Sequence, residues 1–332
     1  MHTIKLGILG AGLAVKQLHW PALADLGSQF ETVAICDIDA VAAQEIATLV
    51  GGEPHLSDDW DTFFNNAAIE AVLISLPIHL NAEAIRAAVR AGKHVICEKP
   101  LAASWPQAAA LVAELRHTPL VIAIAENFHY REDFRQARRW MDEGAIGTVV
   151  VISLQATFWS DVHEGFGSTP WRHDHQYRGA AIADGGVHHT AALRELGGEV
   201  EQVHAFIKDV HPVLGGPDTM VLNLRFRSGV LGQLLFAAAV KPSEPGFDRI
   251  LVLGTEGSIN IERGVARLHR PNTESVEFHA PDPSGYRSEF RNFYNAVTSN
   301  QPVVATLDSA LADWRIIMRA LDSAESRSVE RV

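Results

Sequence analysis

The first part of the chain alternates short apolar runs with helical segments. The runs are too short for helices and are typical of strands buried on both faces; they lie at residues 4–9, 32–36, 54–56, 71–76, 94–97 and 120–124. Between them, apolar residues recur every three or four positions, as at Ala82, Ile85 and Val89. This alternation predicts a doubly wound parallel sheet of about six strands, and therefore an α/β fold.

The pattern changes near residue 125, where we place a domain boundary. Residues 219–226 alternate apolar and polar side chains with a period of two, which predicts a strand with one buried face. Further strands of this kind follow, and helical patterns close the chain. We therefore predict two domains, 1–124 and 125–332, of which the second is an α+β domain with a large open, mainly antiparallel sheet.

Composition narrows the class of protein. The 332 residues are 47% hydrophobic and 20% charged, as in a globular protein large enough for two domains. The formal net charge of −12 argues against nucleic acid or an anionic membrane as the partner. No apolar run has membrane length, and Cys36 and Cys97 lie at predicted strand ends, as buried small hydrophobes would. We expect a cytoplasmic protein that binds neither nucleic acid nor membrane.

A glycine-rich turn follows the first strand. Gly10-Ala11-Gly12 leads into a helix that starts near Leu13, an arrangement in which backbone amides and a helix N-terminus hold a pyrophosphate. The third position of the usual fingerprint is Val15 rather than Gly or Ala. Asp37 ends the second strand, where a carboxylate can accept both ribose hydroxyls of an adenosine; its alternative role is a helix N-cap. No Arg or Lys follows nearby to receive a 2′-phosphate, so the sequence favours NAD over NADP.

A later strand end carries Glu98-Lys99-Pro100. The preceding helical pattern stops at Gly92, the buried run 94–97 follows, and Pro100 prevents further strand pairing. In an open α/β sheet, ligands bind beyond the carboxyl ends of the strands. Lys99 is therefore placed where chemistry is expected.

Residues 157–189 are the chemically dense part of the second domain. Aromatic residues are interleaved there with His, Asp and Arg, a mixture that stacks on the face of a polyhydroxylated ring and bonds to its hydroxyls; the aromatic residues are Trp159, Phe166, Trp171 and Tyr177. Asp184 and His188 are four residues apart and share a helical face, either as a functional pair or as a purely structural one. Gly185 and Gly186 each cost a helix about 1 kcal/mol relative to Ala, which indicates a close approach to the backbone.

At these stretches the chain resembles the glucose–fructose oxidoreductase and inositol dehydrogenase (Gfo/Idh/MocA) family. The resemblance is carried by the opening Gly7-Ile-Leu-Gly10-Ala-Gly12, by residues 91–101 with their Glu-Lys-Pro sequence, and by Asp184-x-Gly186-x-His188. Asn81 and Ala191 depart from it, because many members have His and Asp there. The resemblance implies an N-terminal Rossmann domain, NAD(P)-dependent oxidation or reduction of sugars and cyclitols, and assembly through the open sheet, here as a homo-dimer or homo-tetramer.

We expect hydride transfer between NAD and a secondary alcohol or ketone of a small polyhydroxylated substrate. His188 would act as general acid/base, Lys99 would stabilise the developing alkoxide and Asp184 would orient the site, although His188 and Lys99 could exchange roles. The expected cofactor-binding residues are Gly10, Ala11, Gly12, Leu13, Asp37, Leu76, Pro77, Glu98, Lys99, Trp171 and Arg172. The expected substrate-binding residues are Lys99, Asn127, His129, Tyr130, Arg172, Asp184 and His188, and no metal site is expected.

Two other functions fit parts of the sequence. A non-catalytic sensor would bind a dinucleotide and regulate a partner, but it would leave Lys99, Asp184 and His188 without a role. A zinc-dependent hydrolase would leave the glycine-rich turn unexplained, and the spacing of its candidate ligands matches no closed set. Those candidate ligands are His163, His173, Asp174, His175 and His188.

Overall fold

The computed structural model consists of two compact units, each with its own sheet. The structure describes residues 2–174, 177–241 and 248–332. The first unit runs to Glu126 and also includes Tyr286–Leu311, and the second comprises Asn127–Gly285 and the chain from Ala312 onward.

The first unit holds a six-stranded parallel sheet in the order β3-β2-β1-β4-β5-β6. This is the doubly wound α/β arrangement that the alternating pattern predicts. Its elements are β1 Ile4–Leu9, a π-helical turn Val15–His19, α1 Trp20–Asp25, β2 Phe30–Cys36, α2 Ala40–Val50, β3 His55–Ser57, α3 Trp60–Phe64, β4 Ala71–Ile74, α4 Asn81–Arg90, β5 His94–Glu98, α5 Trp105–Leu115 and β6 Ile122–Ala125.

The second unit holds a nine-stranded sheet in the order β14-β13-β12-β11-β7-β10-β9-β8-β15. The pairing of β7 with β10 is parallel, and the other pairings are antiparallel, so the predicted mainly antiparallel sheet is confirmed. The remaining elements of the chain, in order, are α6 Glu132–Asp142, β7 Val149–Thr157, α7 Ala180–Gly197, β8 Val200–Lys208, β9 Thr219–Phe226, β10 Leu231–Ala237, β11 Arg249–Gly254, β12 Ser258–Glu262, β13 Val265–His269, β14 Val276–His279, α8 Tyr286–Ser299, α9 Leu307–Ser326 and β15 Glu330–Arg331.

The structure differs from the predicted domain limits at α8. The sequence analysis assigns all of 125–332 to one domain, whereas α8 packs into the core of the first unit. The reason is hydrophobic burial, because Phe290, Phe293 and Tyr294 lie in the same cluster as the apolar residues of β1. The division also falls within α9, at Leu311.

The two sheets bury their apolar residues differently. Ala71, Val72, Leu73 and Ile74 of β4 are all fully buried, as expected for a strand covered on both faces. In β9, by contrast, buried and more exposed residues alternate, so this sheet has one covered and one open face. Among the described helices, none combines the length and the apolarity that a bilayer span requires.

Candidate functional site

The parallel sheet of the first unit brings the predicted cofactor residues to one edge. Gly10, Asp37, Leu76 and Lys99 each follow the carboxyl end of a different strand. Because parallel strands end at the same edge, these residues share that side of the sheet. This is the edge at which open α/β sheets bind ligands.

The glycine turn has one position that packing requires and one that is open. Gly10 has φ +93°, and a Cβ there would lie 2.1 Å from the carbonyl oxygen of Ser75. Its N–H donates to the carbonyl of Cys36 at 2.8 Å, which joins the turn to the end of β2. A Cβ on Gly12, by contrast, would meet no atom within 4 Å. The backbone at Gly12 is therefore open to a phosphate group, next to the helical segment that begins at Leu13.

Asp37 braces this turn and does not cap the next helix. Its Oδ2 accepts the N–H of Ala11 at 2.6 Å, and its Oδ1 accepts the N–H of Asp39 at 2.8 Å. The N-cap of α2 is Asp39, whose carboxylate accepts hydrogen bonds from Val41 and Ala42. The alternative assignment of Asp37 as the N-cap is therefore wrong. Its contact with a ribose remains a prediction.

Lys99 follows β5 in a closely held stretch of backbone. The Nδ2 of Asn81 donates to the carbonyls of Glu98 and Pro100, at 3.0 and 2.9 Å, on either side of Lys99. The Oε2 of Glu98 accepts the N–H of Lys99 at 3.1 Å, and its Oε1 lies 2.8 Å from Nε2 of His19. Glu98 and Lys99 were predicted from the sequence, but His19 was not. The signal that could have pointed to it is a histidine four residues after Val15, on the buried face of the helical turn.

The second unit joins three predicted residues in one cluster. The Nε of Arg172 donates to Oδ2 of Asp184 at 2.7 Å, and the guanidinium lies 4.2 Å from the centre of the Trp171 ring. The Nη1 of Arg172 also donates to the hydroxyl of Thr169 at 2.7 Å. Because Asp184 and Arg172 are each less than one-fifth exposed, this ion pair is shielded from water. The carboxylate of Asp184 is therefore held by a cationic side chain of the same unit.

The two glycines after Asp184 lie within α7, as predicted, and allow the close approach of neighbouring side chains. A Cβ on Gly185 would lie 3.1 Å from the ring of Phe236, and one on Gly186 would lie 3.2 Å from Cδ1 of Ile317. The side chains that approach this part of the helix backbone are thus part of the protein's own core.

His188 lies one turn after Asp184 and stacks on an aromatic ring. Its ring centre is 5.0 Å from that of Phe128, with 26° between the two planes. The next residue, His189, is buried, and its Nδ1 lies 3.0 Å from the carbonyl oxygen of Gly185. Its Nε2 lies 2.6 Å from Oδ1 of Asp248. His189 was not predicted as a site residue. The sequence contains two adjacent histidines, and it does not indicate which of them contacts a carboxylate far along the chain.

Asp248 has an altered pKa. Burial alone would raise the pKa of its carboxyl group, but the neighbouring His189, then Arg131 and His188, lower it below the usual value. Nη1 of Arg131 lies 3.4 Å from Oδ2 of Asp248. The carboxylate is therefore stabilised in its charged form, although it is only 19% exposed.

The predicted substrate residues Asn127, His129 and Tyr130 form one buried turn. Nδ2 of Asn127 donates to the carbonyl of Ser284 at 2.6 Å, and Nε2 of His129 lies 2.8 Å from Oδ2 of Asp313. Tyr130 is 1% exposed. These contacts serve the packing of the second unit, and the contact of the three residues with substrate stays a prediction.

The candidate zinc ligands are not gathered in the part of the chain that the structure describes. No three His, Cys, Asp or Glu side chains come together there with the arrangement that could hold a metal ion. Nε2 of His173 donates to the carbonyl of Gly167 at 2.7 Å, while His175 lies outside the described residues.

Both cysteines are free and buried. Burial raises the pKa of the Cys36 thiol, and it raises the pKa of the Cys97 thiol well above the usual value, with a further contribution from the charge of Glu98. Neither residue has the features of a reactive thiol, as predicted.

Comparison with known proteins identifies both units. Residues 4–126 match the model described as the oxidoreductase family, NAD-binding Rossmann fold, and residues 134–260 match the GFO/IDH/MocA C-terminal domain. An oxidoreductase of known structure from Thermotoga maritima superimposes with a TM-score of 0.90 at 32% identity, covering 97% of each chain. The 1,5-anhydro-D-fructose reductase of Ensifer adhaerens is 26% identical over 98% of each chain. A levoglucosan dehydrogenase solved with NADH and levoglucosan shares the fold, with a TM-score of 0.89 at 22% identity over 100% of this chain and 99% of that one.

Proposed function

Because this chain belongs to the Gfo/Idh/MocA oxidoreductase family, we propose that it transfers a hydride between NAD and a secondary alcohol or ketone of a sugar or cyclitol. The observation that carries the proposal is the combination of an NAD-binding domain with a lysine held at the carboxyl end of β5. The named relatives support the substrate class, because 1,5-anhydro-D-fructose and levoglucosan are carbohydrate derivatives.

The residues of the first unit fit a dinucleotide. Gly12 leaves room for the pyrophosphate, and the carboxylate of Asp37 lies beside the turn, where it can accept ribose hydroxyls. When bound, the nicotinamide supplies or accepts the hydride. We assign Leu76 and Glu98 to the same cofactor site, because both lie at the carboxyl edge of the sheet. Pro77, Trp171 and Arg172 complete the assigned cofactor contacts.

Two side chains of this chain then handle the hydroxyl of the substrate. His188 takes its proton during oxidation and returns it during reduction, because imidazole titrates near neutral pH. The ammonium of Lys99 stabilises the negative charge that develops on the oxygen. Asp184, through its ion pair with Arg172, orients the surrounding groups. In the alternative mechanism, Lys99 and His188 exchange these roles.

The substrate class is tested with purified protein and a panel of compounds. The panel contains aldoses, anhydro sugars, cyclitols and their keto forms, with simple aliphatic and aromatic alcohols as the control set. Each compound is assayed by nicotinamide absorbance in both directions. Turnover of polyhydroxylated rings alone supports the proposal. Turnover confined to the simple alcohols would contradict it.

The preference for NAD over NADP is tested by titrating both cofactors. We expect tighter binding of NAD, because the carboxylate of Asp37 repels a 2′-phosphate. Asp37→Ala should weaken this preference: the dissociation constant of NADP divided by that of NAD should fall about tenfold, the effect of losing roughly one charged hydrogen bond. Asp61→Ala, which removes an exposed carboxylate in α3, is the control and should leave the ratio unchanged. Equal binding of the two cofactors by the wild type contradicts the assignment of Asp37.

We further propose that the protein is a homo-dimer or homo-tetramer built through the open face of the second sheet. Leu231 of β10 and Leu253 of β11 lie on either side of Val151, their common partner in β7. Leu231 is 49% exposed, Leu253 is 40% exposed, and Phe206 of β8 is 65% exposed. A face of this kind is an expected contact surface between copies. Light scattering should give the wild type a mass of two or four chains. The double variant Phe206→Glu/Leu253→Glu should have a lower mass, because the two carboxylates would disrupt the contact between copies.

The two buried thiols are consistent with a cytoplasmic location, which we also propose.

A further inference from the structure

His19 is a polar residue in an apolar part of the first unit. It ends the π-helical turn Val15–His19, and its side chain is completely buried. The rings of Tyr286 and Phe290 meet the His19 ring edge-on, with centres 5.8 and 5.6 Å away. Single π-helical turns occur frequently at functional sites. Its burial and its unusual backbone both suggest that His19 has a specific task.

The side chain of His19 is hydrogen-bonded to Glu98. Nε2 lies 2.8 Å from Oε1 of Glu98, while Nδ1 has no hydrogen-bond partner among the described residues. Because the carboxylate can only accept, we assign the ring hydrogen to Nε2. A single hydrogen on Nε2 also avoids burying an N–H at Nδ1 without an acceptor. His19 therefore acts as a donor aimed at one oxygen of Glu98.

Glu98 connects His19 with the backbone of Lys99. Its second oxygen, Oε2, accepts the N–H of Lys99 at 3.1 Å. The side chain of Asn81 holds the carbonyls on either side of Lys99, so the peptide groups around this residue are fixed from two directions. Of these contacts, only the one from Glu98 reaches the amide of Lys99 itself. The other oxygen of the same carboxylate lies against the donor from His19.

We infer that His19 is a positioning residue for the reaction, acting on Lys99 through Glu98. The inference rests on the proposed function, in which Lys99 stabilises charge on the substrate oxygen. Without the donor, the carboxylate of Glu98 would turn toward other donors and release the amide of Lys99. The lysine would then be less accurately placed, and turnover would fall.

The test compares His19→Phe with His19→Gln. Phenylalanine keeps an aromatic ring of similar size but has no donor, whereas glutamine supplies an N–H at nearly the same reach as Nε2. For His19→Phe we expect turnover to fall about tenfold. His19→Gln should recover most of the turnover. Equal losses in both variants would overturn the inference, because ring packing rather than the donor would then matter.

Amide hydrogen exchange of Lys99, measured without substrate, separates this inference from the proposed function. His19→Phe should speed exchange of the Lys99 amide about tenfold, and His19→Gln should not. Unchanged exchange in His19→Phe would refute the inference even if sugars turn over. If the wild type neither oxidises nor reduces any sugar or cyclitol, the proposed function fails, and the exchange still decides whether His19 holds Lys99.

A second variant covers the case in which His19→Phe does not fold. Glu98→Gln keeps the shape of the side chain but has only one accepting oxygen, so it cannot serve both His19 and Lys99. The thermal unfolding temperature reports whether each variant is folded. A folded Glu98→Gln protein should show the same faster exchange at Lys99. Unchanged exchange in this variant would also overturn the inference.

Discussion

Each unit buries a carboxylate beside a histidine, yet the two carboxylates have different surroundings. Glu98 of the first unit accepts from a neutral backbone N–H and lies against His19. Asp248 of the second unit lies between His189 and the guanidinium of Arg131. The carboxylates are similarly shielded, since Glu98 is 13% exposed and Asp248 is 19% exposed. Burial alone therefore does not distinguish the two groups.

The pKa values of Tyr286 and Asp248 show the effect of these different surroundings. Burial, and then the charges of Glu98, Glu289 and Glu126, raise the pKa of Tyr286 far above its usual value. In the second unit, the histidine and arginine neighbours of Asp248 overcome burial and lower the pKa of its carboxyl group. The first cluster, formed by His19, Glu98 and Tyr286, thus favours retention of a proton. The second cluster, formed by Arg131, His189 and Asp248, favours its loss. The stability of the first unit should therefore change at alkaline pH, and that of the second at acidic pH. The proposed catalytic residues Lys99 and His188 are the immediate chain neighbours of Glu98 and His189.

The largest effect is expected beside the second cluster, from His188→Asn. Loss of a general base should lower turnover about 10³-fold and remove the rise of the oxidation rate with pH near neutrality. A pH–rate profile of the variant and the wild type measures both. His279→Asn makes the same change at an exposed position of β14 and should have little effect. If His188→Asn keeps the wild-type pH dependence, the proton carrier is another residue, and Lys99 becomes the first candidate.

Beside the first cluster, Lys99→Ala should lower turnover by about 10²-fold, the usual scale for an electrostatic contact to the reacting oxygen. The affinity for NAD should stay nearly intact, which fluorescence titration measures. Lys5→Ala is the matched control, because Lys5 lies near the start of β1 in an exposed ion pair with Glu31. Full activity of Lys99→Ala would show that the lysine has only a structural role.

A smaller effect is expected on stability when the second cluster loses its charge. Asp248→Asn should lower the free energy of unfolding at neutral pH by about 2 kcal/mol, the loss of roughly one charged hydrogen bond. Because the pKa of Asp248 is lowered in the folded state, its stabilisation is complete above about pH 4 and disappears as the pH falls through the folded-state value. The free energies of unfolding of the variant and the wild type, measured with urea, should therefore converge as the pH is lowered into the acid range.

Asp142→Asn serves as the control for this prediction. Asp142 forms an exposed ion pair with Arg138 on α6, and its loss should cost well under about 1 kcal/mol. A difference between Asp248→Asn and the wild type that stays constant through the acid range would contradict the assigned pKa direction.

The smallest effect is expected at Tyr286 of the first cluster. Its raised pKa means that the folded protein keeps a proton that the unfolded chain loses above about pH 10, so stability should decline as the pH rises further. Tyr286→Phe should decline less steeply, by about 1 kcal/mol between pH 10 and pH 11, because the tyrosine of the unfolded chain is already about half ionised at pH 10. Urea unfolding at these two pH values measures the difference. Equal declines would show that the Tyr286 side chain does not carry the alkaline effect.

Much of the element pattern of the two sheets was predictable from the chain alone. The buried runs, the glycine turn and the period-two strand of 219–226 depend on local periodicity, and the parallel and mainly antiparallel sheets confirm them. The strands β7 and β8 were not identified, and α8 was assigned to the wrong unit. Periodicity shows that α8 has an apolar face, but many cores can bury such a face.

The sequence by itself determined which residues end the strands, and therefore that Gly10, Asp37 and Lys99 meet at one edge of a parallel sheet. Only the tertiary structure decided which side chains hold them. Glu98 meets His19 across 79 positions, and Asp248 meets His189 across 59. Strand order and helix faces follow from short-range patterns of burial, whereas these pairs depend on where packed elements bring distant residues together. That packing placed His189 and Arg131 beside the carboxylate of Asp248.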